Sequence, residues 1–111
     1  QTMANTFKLK TKANVGVTTV GIYTAPAATT TVVIGITLAN TSGSGVNVGV
    51  GITRAGATED VKLLKNAPIP QGSTLEFMGG NKVVLETTDT VTVDSDTNNS
   101  VDAALTIMEI T

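Results

Sequence analysis

Residues 31–53 read TVVIGITLANTSGSGVNVGVGIT, two aliphatic runs separated by Thr41-Ser42-Gly43-Ser44-Gly45. Val32, Ile34, Ile36 and Leu38 alternate with Val33, Gly35, Thr37 and Ala39, and past the break Val46, Val48, Val50 and Ile52 alternate with Asn47, Gly49, Gly51 and Thr53. Period two on both sides of a Ser/Gly break predicts two strands folded back as a hairpin, each with one branched aliphatic face. A hairpin cannot keep such a face dry on its own. The rest of the chain must supply a second sheet to cover it.

The composition allows this. A chain of 111 residues is one domain in size, and at that length a sandwich buries roughly 65% of the surface its unfolded chain exposes. The only aromatics are Phe7, Phe77 and Tyr23, so the core must be built from Val, Ile, Leu, Met and Ala. There is no Cys, which removes disulfides and thiolate metal sites. There is no His either, which removes the usual proton shuttle near neutral pH and the commonest metal ligand.

The net charge of −2 hides an asymmetry. Lys8, Lys10 and Lys12 fall in the first dozen residues with no acid among them, while the remaining ninety-nine hold four bases and all nine acids. A cationic arm on an acidic body points to contact with an acidic surface, such as a neighbouring copy. Apolar residues at the start are interleaved with lysines, so no signal peptide is expected, and no apolar run reaches the length of a membrane span. Gln1-Thr2 ahead of Met3 reads as a remnant or an upstream start and is left out of the fold argument.

Residues 1–17 are expected to form an N-terminal basic arm or an edge strand, and 18–111 the β-sandwich domain. As an edge strand, Phe7 and Leu9 would face inward and the lysines outward, where they discourage edge-to-edge association. A short strand over 18–23 ends at Pro26. After the central hairpin come a turn at 54–58, a strand over 60–65 and an irregular stretch over 66–73, where Pro68 and Pro70 straddle Ile69 as an apolar plug. Strands at 74–78 and 82–86 flank a Gly79-Gly80-Asn81 turn. A strand around Val91 and Val93 and a last one from Val101 complete the set. In the last, Val101, Ala103, Leu105 and Ile107 share a face, whereas Met108 and Ile110 point the other way. Either a bulge shifts the register near Ile107, or this end is apolar on both sides and needs a neighbouring subunit.

Eight or nine short strands with Gly, Pro, Asn and Asp turns and no helical period predict an all-β fold, a single antiparallel β-sandwich. The immunoglobulin-like or Greek-key version is expected from the short strands and compact loops, with a jelly roll as the alternative.

Reacting chemistry is mostly excluded. Asp94-Ser95-Asp96-Thr97-Asn98 fits the first ligands of a calcium loop, but Asn99 stands at the glycine position and Leu105 at that of the bidentate glutamate, so a polar turn is expected. Asn40-Thr41-Ser42 and Asn98-Asn99-Ser100 fit the glycosylation pattern and read more simply as turns. Asp89, Asp94, Asp96 and Asp102 are expected as solvated caps, with no aromatic platform for a sugar. Gly79-Gly80 and Gly43-Ser44-Gly45 open no helix, which argues against phosphate binding. The lysines lack interleaved aromatics apart from Phe7, and an acidic body repels polyanions, so nucleic acid is not an expected partner. No catalytic residue, cofactor or metal site is expected. Gly35, Gly49 and Gly51 all fall on the outward face of the expected hairpin, where missing side chains let a second subunit approach.

Ile22-Tyr23-Thr24-Ala25-Pro26-Ala27, the strand ending Leu38-Ala39-Asn40-Thr41-Ser42, Pro68-Ile69-Pro70-Gln71-Gly72-Ser73-Thr74-Leu75-Glu76 and Leu85-Glu86-Thr87-Thr88-Asp89-Thr90-Val91 together resemble the small virion structural proteins of tailed bacteriophages. The resemblance spans about residues 18–111 and rests on turn signals in order. Where such proteins often carry Gly before the Asp of the late turn, this chain has Thr88. The resemblance implies a non-enzymatic sandwich assembled in many copies on the particle, as a head decoration (cement) protein bound to the major capsid protein or as a neck, tail or fibre component. It implies synthesis in the host cytoplasm, a place on the virion surface and no membrane partner. A carbohydrate-binding adhesion module is the rival from another class, although it would need aromatics to stack on sugar rings. A homo-oligomer is expected, with a trimer the first guess, and Lys8, Lys10, Lys12, Gly35, Gly49, Gly51, Met108 and Ile110 are the expected partner-binding residues.

Overall fold

A computed structural model describes residues 5–54, 59–77 and 83–111. The turns expected at 55–58 and 79–81 lie outside the described residues, as do Met78 and Lys82. Nine strands are described: β1 (Asn5–Val15), β2 (Val20–Thr24), β3 (Thr30–Asn40), β4 (Val46–Arg54), β5 (Glu59–Ile69), β6 (Thr74–Phe77), β7 (Val83–Leu85), β8 (Asp89–Ser95) and β9 (Val101–Ile110). They form two antiparallel sheets packed face to face, as the period-two pattern requires. The first has the order β1-β9-β3-β6, with β7 also on β3, and the second has the order β2-β8-β4-β5.

That order is a jelly roll, not the immunoglobulin-like arrangement. The pairing is nested: β4 with β5, β3 with β6 and β7, β2 with β8, β1 with β9. One long antiparallel ladder has been rolled up so that its halves face each other. The expected central hairpin is therefore absent. β3 has its two edges taken by β9 and by β6 and β7, β4 has its own taken by β8 and β5, and the two face each other across the core. Residues 41–45 are a corner between sheets. Buried Asn40 holds that corner. Its Nδ2 donates to the carbonyls of Ser44 (2.8 Å) and Ile69 (2.9 Å), and its Oδ1 accepts from the Ser42 N–H (2.9 Å) and hydroxyl (2.7 Å).

β3 also departs from simple alternation. Its register against β9 slips between Val33 and Gly35, so Thr31 and Val33 point inward before the bulge and Ile36 and Leu38 after it. Val32, expected on the core face, instead lies on the outer one. The irregularity suspected near Ile107 is thus real but sits on β3, opposite Ile107, while β9 alternates without a break. β5 runs through Pro68, which pairs with Asn47. A proline is tolerated there because β5 is an edge strand, free of a second ladder that would need its N–H. Ile69 is buried at the end of the sandwich, as expected. The core is aliphatic, with Ile36, Leu38, Leu85, Leu105 and Ile107 among its largest fully buried side chains.

Candidate assembly surface

β1 is the edge strand of the first sheet, and its faces are reversed from expectation. Phe7 lies opposite Met108 and Leu9 opposite Thr106, both on the outer face, whereas Lys8, Lys10 and Lys12 lie opposite the inward residues Ile107, Leu105 and Ala103. Phe7 is 68% and Leu9 65% exposed. The reversal follows from one buried carboxylate. β9 keeps its alternation to the end, so Glu109 continues the inward row after Ile107 and is only 6% exposed. Its Oε1 takes the Lys8 ammonium at 2.9 Å and its Oε2 accepts from the Tyr23 hydroxyl at 2.6 Å. The Tyr23 hydroxyl also lies 2.8 Å from Thr31 Oγ1. Four strands are tied at this point: β1, β2, β3 and β9.

The chemistry of the cluster is one of cohesion. The hydrogen bond from Tyr23, then the contact with Lys8, hold the Glu109 carboxyl below its ordinary range. Burial, then the bond to Glu109, push the Tyr23 phenol up to about 12. Lys8 is therefore bound within the fold, unlike Lys10 and Lys12, for which no ion pair is found among the described residues. Sequence reading missed Glu109. The available signal was an acid falling in step with Val101, Ala103, Leu105 and Ile107, a position that requires buried partners.

The glycines do not share a face. Gly35 lies on the outer face of the first sheet, beside Thr106, with room above it. Gly49 and Gly51 lie on the outer side of the second sheet and are buried, because neighbouring groups of the same chain fill the space. A Cβ on Gly49 would come within 2.5 Å of Asp94 Oδ1, and one on Gly51 within 2.8 Å of the Val61 carbonyl. Met108 and Ile110 do point outward and are half-buried.

Together these placements make the outer face of the first sheet distinctive. Phe7, Met108, Val32 and Val84 form one cross-strand row over β1, β9, β3 and β7, flanked by Leu9 and Ile110. Along the face toward the other end the residues become small: Thr11, Ala13, Ala104, Thr37 and Ala39. They line a shallow hollow of about 320 Å³ bordered by Lys12 and Asp102. The only charged residues on this outer face, among those described, are Asp102 and Glu76.

The acids remain outside any site. Asp89 is buried rather than solvated: Oδ2 accepts the Glu86 N–H at 2.9 Å and Oδ1 lies 3.3 Å from Arg54 Nε. Arg54 also reaches Glu86 Oε1 at 2.7 Å. Asp96 Oδ1 accepts the Asn47 N–H at 3.1 Å, as a turn cap. Among the described residues no group of three acids is placed to hold a metal ion, and none forms a helix long and apolar enough to cross a membrane.

No protein-family model matches the chain, and no curated protein matches it. Solved structures share its fold. One comes from Bacillus endospore appendages, a family of disulfide-linked pili (16% identity, TM-score 0.57, covering 99% of this chain and 88% of that one). Another is from the acid-stable capsid of Helicobacter pylori bacteriophage KHP30 (12% identity, TM-score 0.57, covering 99% of this chain and 94% of that one).

Proposed function

We propose that this chain is a non-enzymatic structural subunit of a virus particle and, within that class, a capsid decoration (cement) protein seated on the outside of the major capsid shell. The observation that carries the reading is a jelly roll with one outer sheet face left apolar and nearly uncharged. A lone soluble domain gains nothing from such a face, whereas an assembled subunit buries it. The fold likeness to a phage capsid chain over nearly its whole length supports the virion reading. The likeness to a spore pilus is equal in score, but these 111 residues contain no Cys, so they cannot supply the disulfide linkage named for that family. Sugar adhesion is disfavoured because Tyr23 is buried and Phe77 half-buried. Phe7 is then the one well-exposed aromatic.

Quantitative mass spectrometry of gradient-purified particles from the source culture tests this. Decoration requires hundreds of copies per particle, in simple ratio to the major capsid protein. About a dozen copies or fewer would move the protein to the neck or tail, and absence from particles would reject the virion role.

A further inference from the structure

We infer that the outer face of the β1-β9-β3-β6 sheet is a self-complementary interface on which two copies of this chain pair about a twofold axis. The inference rests on the assembly reading above and specifies its first contact. The face carries a ridge at one end, Phe7, Leu9 and Met108 with Val32, and the small-residue hollow at the other. A twofold axis lying in the interface plane, above Thr106 and Gly35 and running across the strands, turns the two outer faces toward each other, exchanges their ends and sets each ridge in the other copy's hollow. Isologous contacts need this self-complementarity.

Charge favours a second copy over a differently charged partner. The chain is net acidic, and copies repel wherever acids meet, yet among the described residues this face offers only Asp102 and Glu76, both toward the hollow end. The twofold sets Asp102 of each copy near the ridge of the other, at the rim, with Lys12 beside it. Size is sufficient: four strands at a spacing of ~4.8 Å and about nine residues at ~3.3 Å give roughly 550 Å² per copy. The pair would bury about 1,100 Å², above the floor of ~1,000 Å² for a biological interface and at the small end of the specific ones.

The test uses the whole chain in sedimentation equilibrium across a concentration series, with far-UV dichroism to confirm folding. The parent should dimerise. Met108→Asp, which places a carboxylate in each of the two dry ridge–hollow contacts, should weaken dimerisation by about a hundredfold or more. Ala104→Arg, which fills the hollow, should act likewise, while Lys62→Glu on the other sheet should change nothing. Mixing Met108→Asp with Ala104→Arg should yield mixed dimers, since one ridge and one hollow remain intact. Because the chain has no Cys, Thr106→Cys supplies a single thiol beside the axis, and a short bis-maleimide should link it to its copy efficiently. Thr53→Cys, exposed on the other sheet, should not link. A parent that stays monomeric at millimolar concentration overturns the inference, as does a dimer indifferent to both face variants or linked through Thr53→Cys. Finding the protein on particles while it is monomeric in solution would sink this interface and leave the virion role standing. A dimer absent from particles would do the reverse.

Discussion

Thr88 carries a backbone cost that its side chain does not repay in exposed surroundings. Its φ is +74°, in the left-handed region that β-branched residues avoid. Its N–H bonds the Ala25 carbonyl at 2.9 Å and fixes the turn before buried Asp89. Thr88→Gly should therefore raise stability by about 0.5–1 kcal/mol, read as a higher urea midpoint at unchanged slope. Gly51 is the opposite case. A methyl there would press on a backbone carbonyl, which cannot swing aside as the Asp94 side chain can at Gly49. Gly51→Ala should cost about 1–3 kcal/mol, and more than Gly49→Ala; the reverse order in thermal melts would contradict the close approach of β5.

The Tyr23–Glu109 pair predicts where stability depends on pH. Glu109 has its folded pKa below the unfolded value, so its contribution is complete above about pH 5, starts to fall near the ordinary 4.5 and is gone once pH passes below the folded value. Tyr23 has its folded pKa raised from 10.0 to about 12, so its contribution is complete below pH 10 and is lost as pH climbs through 12. Glu109→Gln should cost about 1–3 kcal/mol at pH 7 and flatten the acid limb. An unaltered acid limb in the variant would remove Glu109 from its cause.

Strand β1 shows how an element can be placed by one partner. Its own pattern of Phe7 and Leu9 against three lysines fits either orientation, and the buried carboxylate of Glu109 selects the one that turns the Lys8 ammonium toward it. Lys8→Gln should cost about 1–2 kcal/mol because it strips a charged partner from a buried acid. Lys10→Gln with Lys12→Gln should change stability by less than about 0.5 kcal/mol, and any loss of attachment to capsids in that pair would be screened by salt. Equal melting losses in the two sets would mean that the latch on Lys8 is idle. The register of β1 against β9 holds over eight consecutive residue pairs before slipping between Lys12 and Val15, where Asn14 takes a positive φ and its N–H bonds Asp102 Oδ1 at 3.0 Å.

Across the whole molecule, apolar residues divide into those buried between the sheets and those left exposed on the outer face of the first sheet. Leu105 is fully buried between the sheets, so Leu105→Ala should cost about 2–5 kcal/mol. Phe7→Thr removes a larger side chain from the outer face and should change monomer stability by no more than about 0.5 kcal/mol. The same substitution should impair assembly. If Phe7→Thr instead destabilised the isolated chain as Leu105→Ala does, the outer face would already be covered from within.

Alternation by two along 31–53 and again along Val101, Ala103, Leu105 and Ile107 was enough to establish a two-sheet β fold, because one aliphatic face per strand has no other stable home. The turn residues marked most strand ends for the same local reason. Which sheet each strand joined was not written in any local pattern: β3 and β4 bear the same period whether they lie side by side or face each other, and the nested ladder that separates these cases joins residues as distant as Asn5 and Ile110. The bulge at Ile34–Gly35, the inward turn of Glu109 and the filling of the space above Gly49 and Gly51 likewise depend on partners far along the chain. Of the expected contact residues, Met108, Ile110 and Gly35 kept an outward aspect because their strand parity already set it. Lys8 instead turns its ammonium to a buried carboxylate a hundred positions away, while its side chain stays 43% exposed.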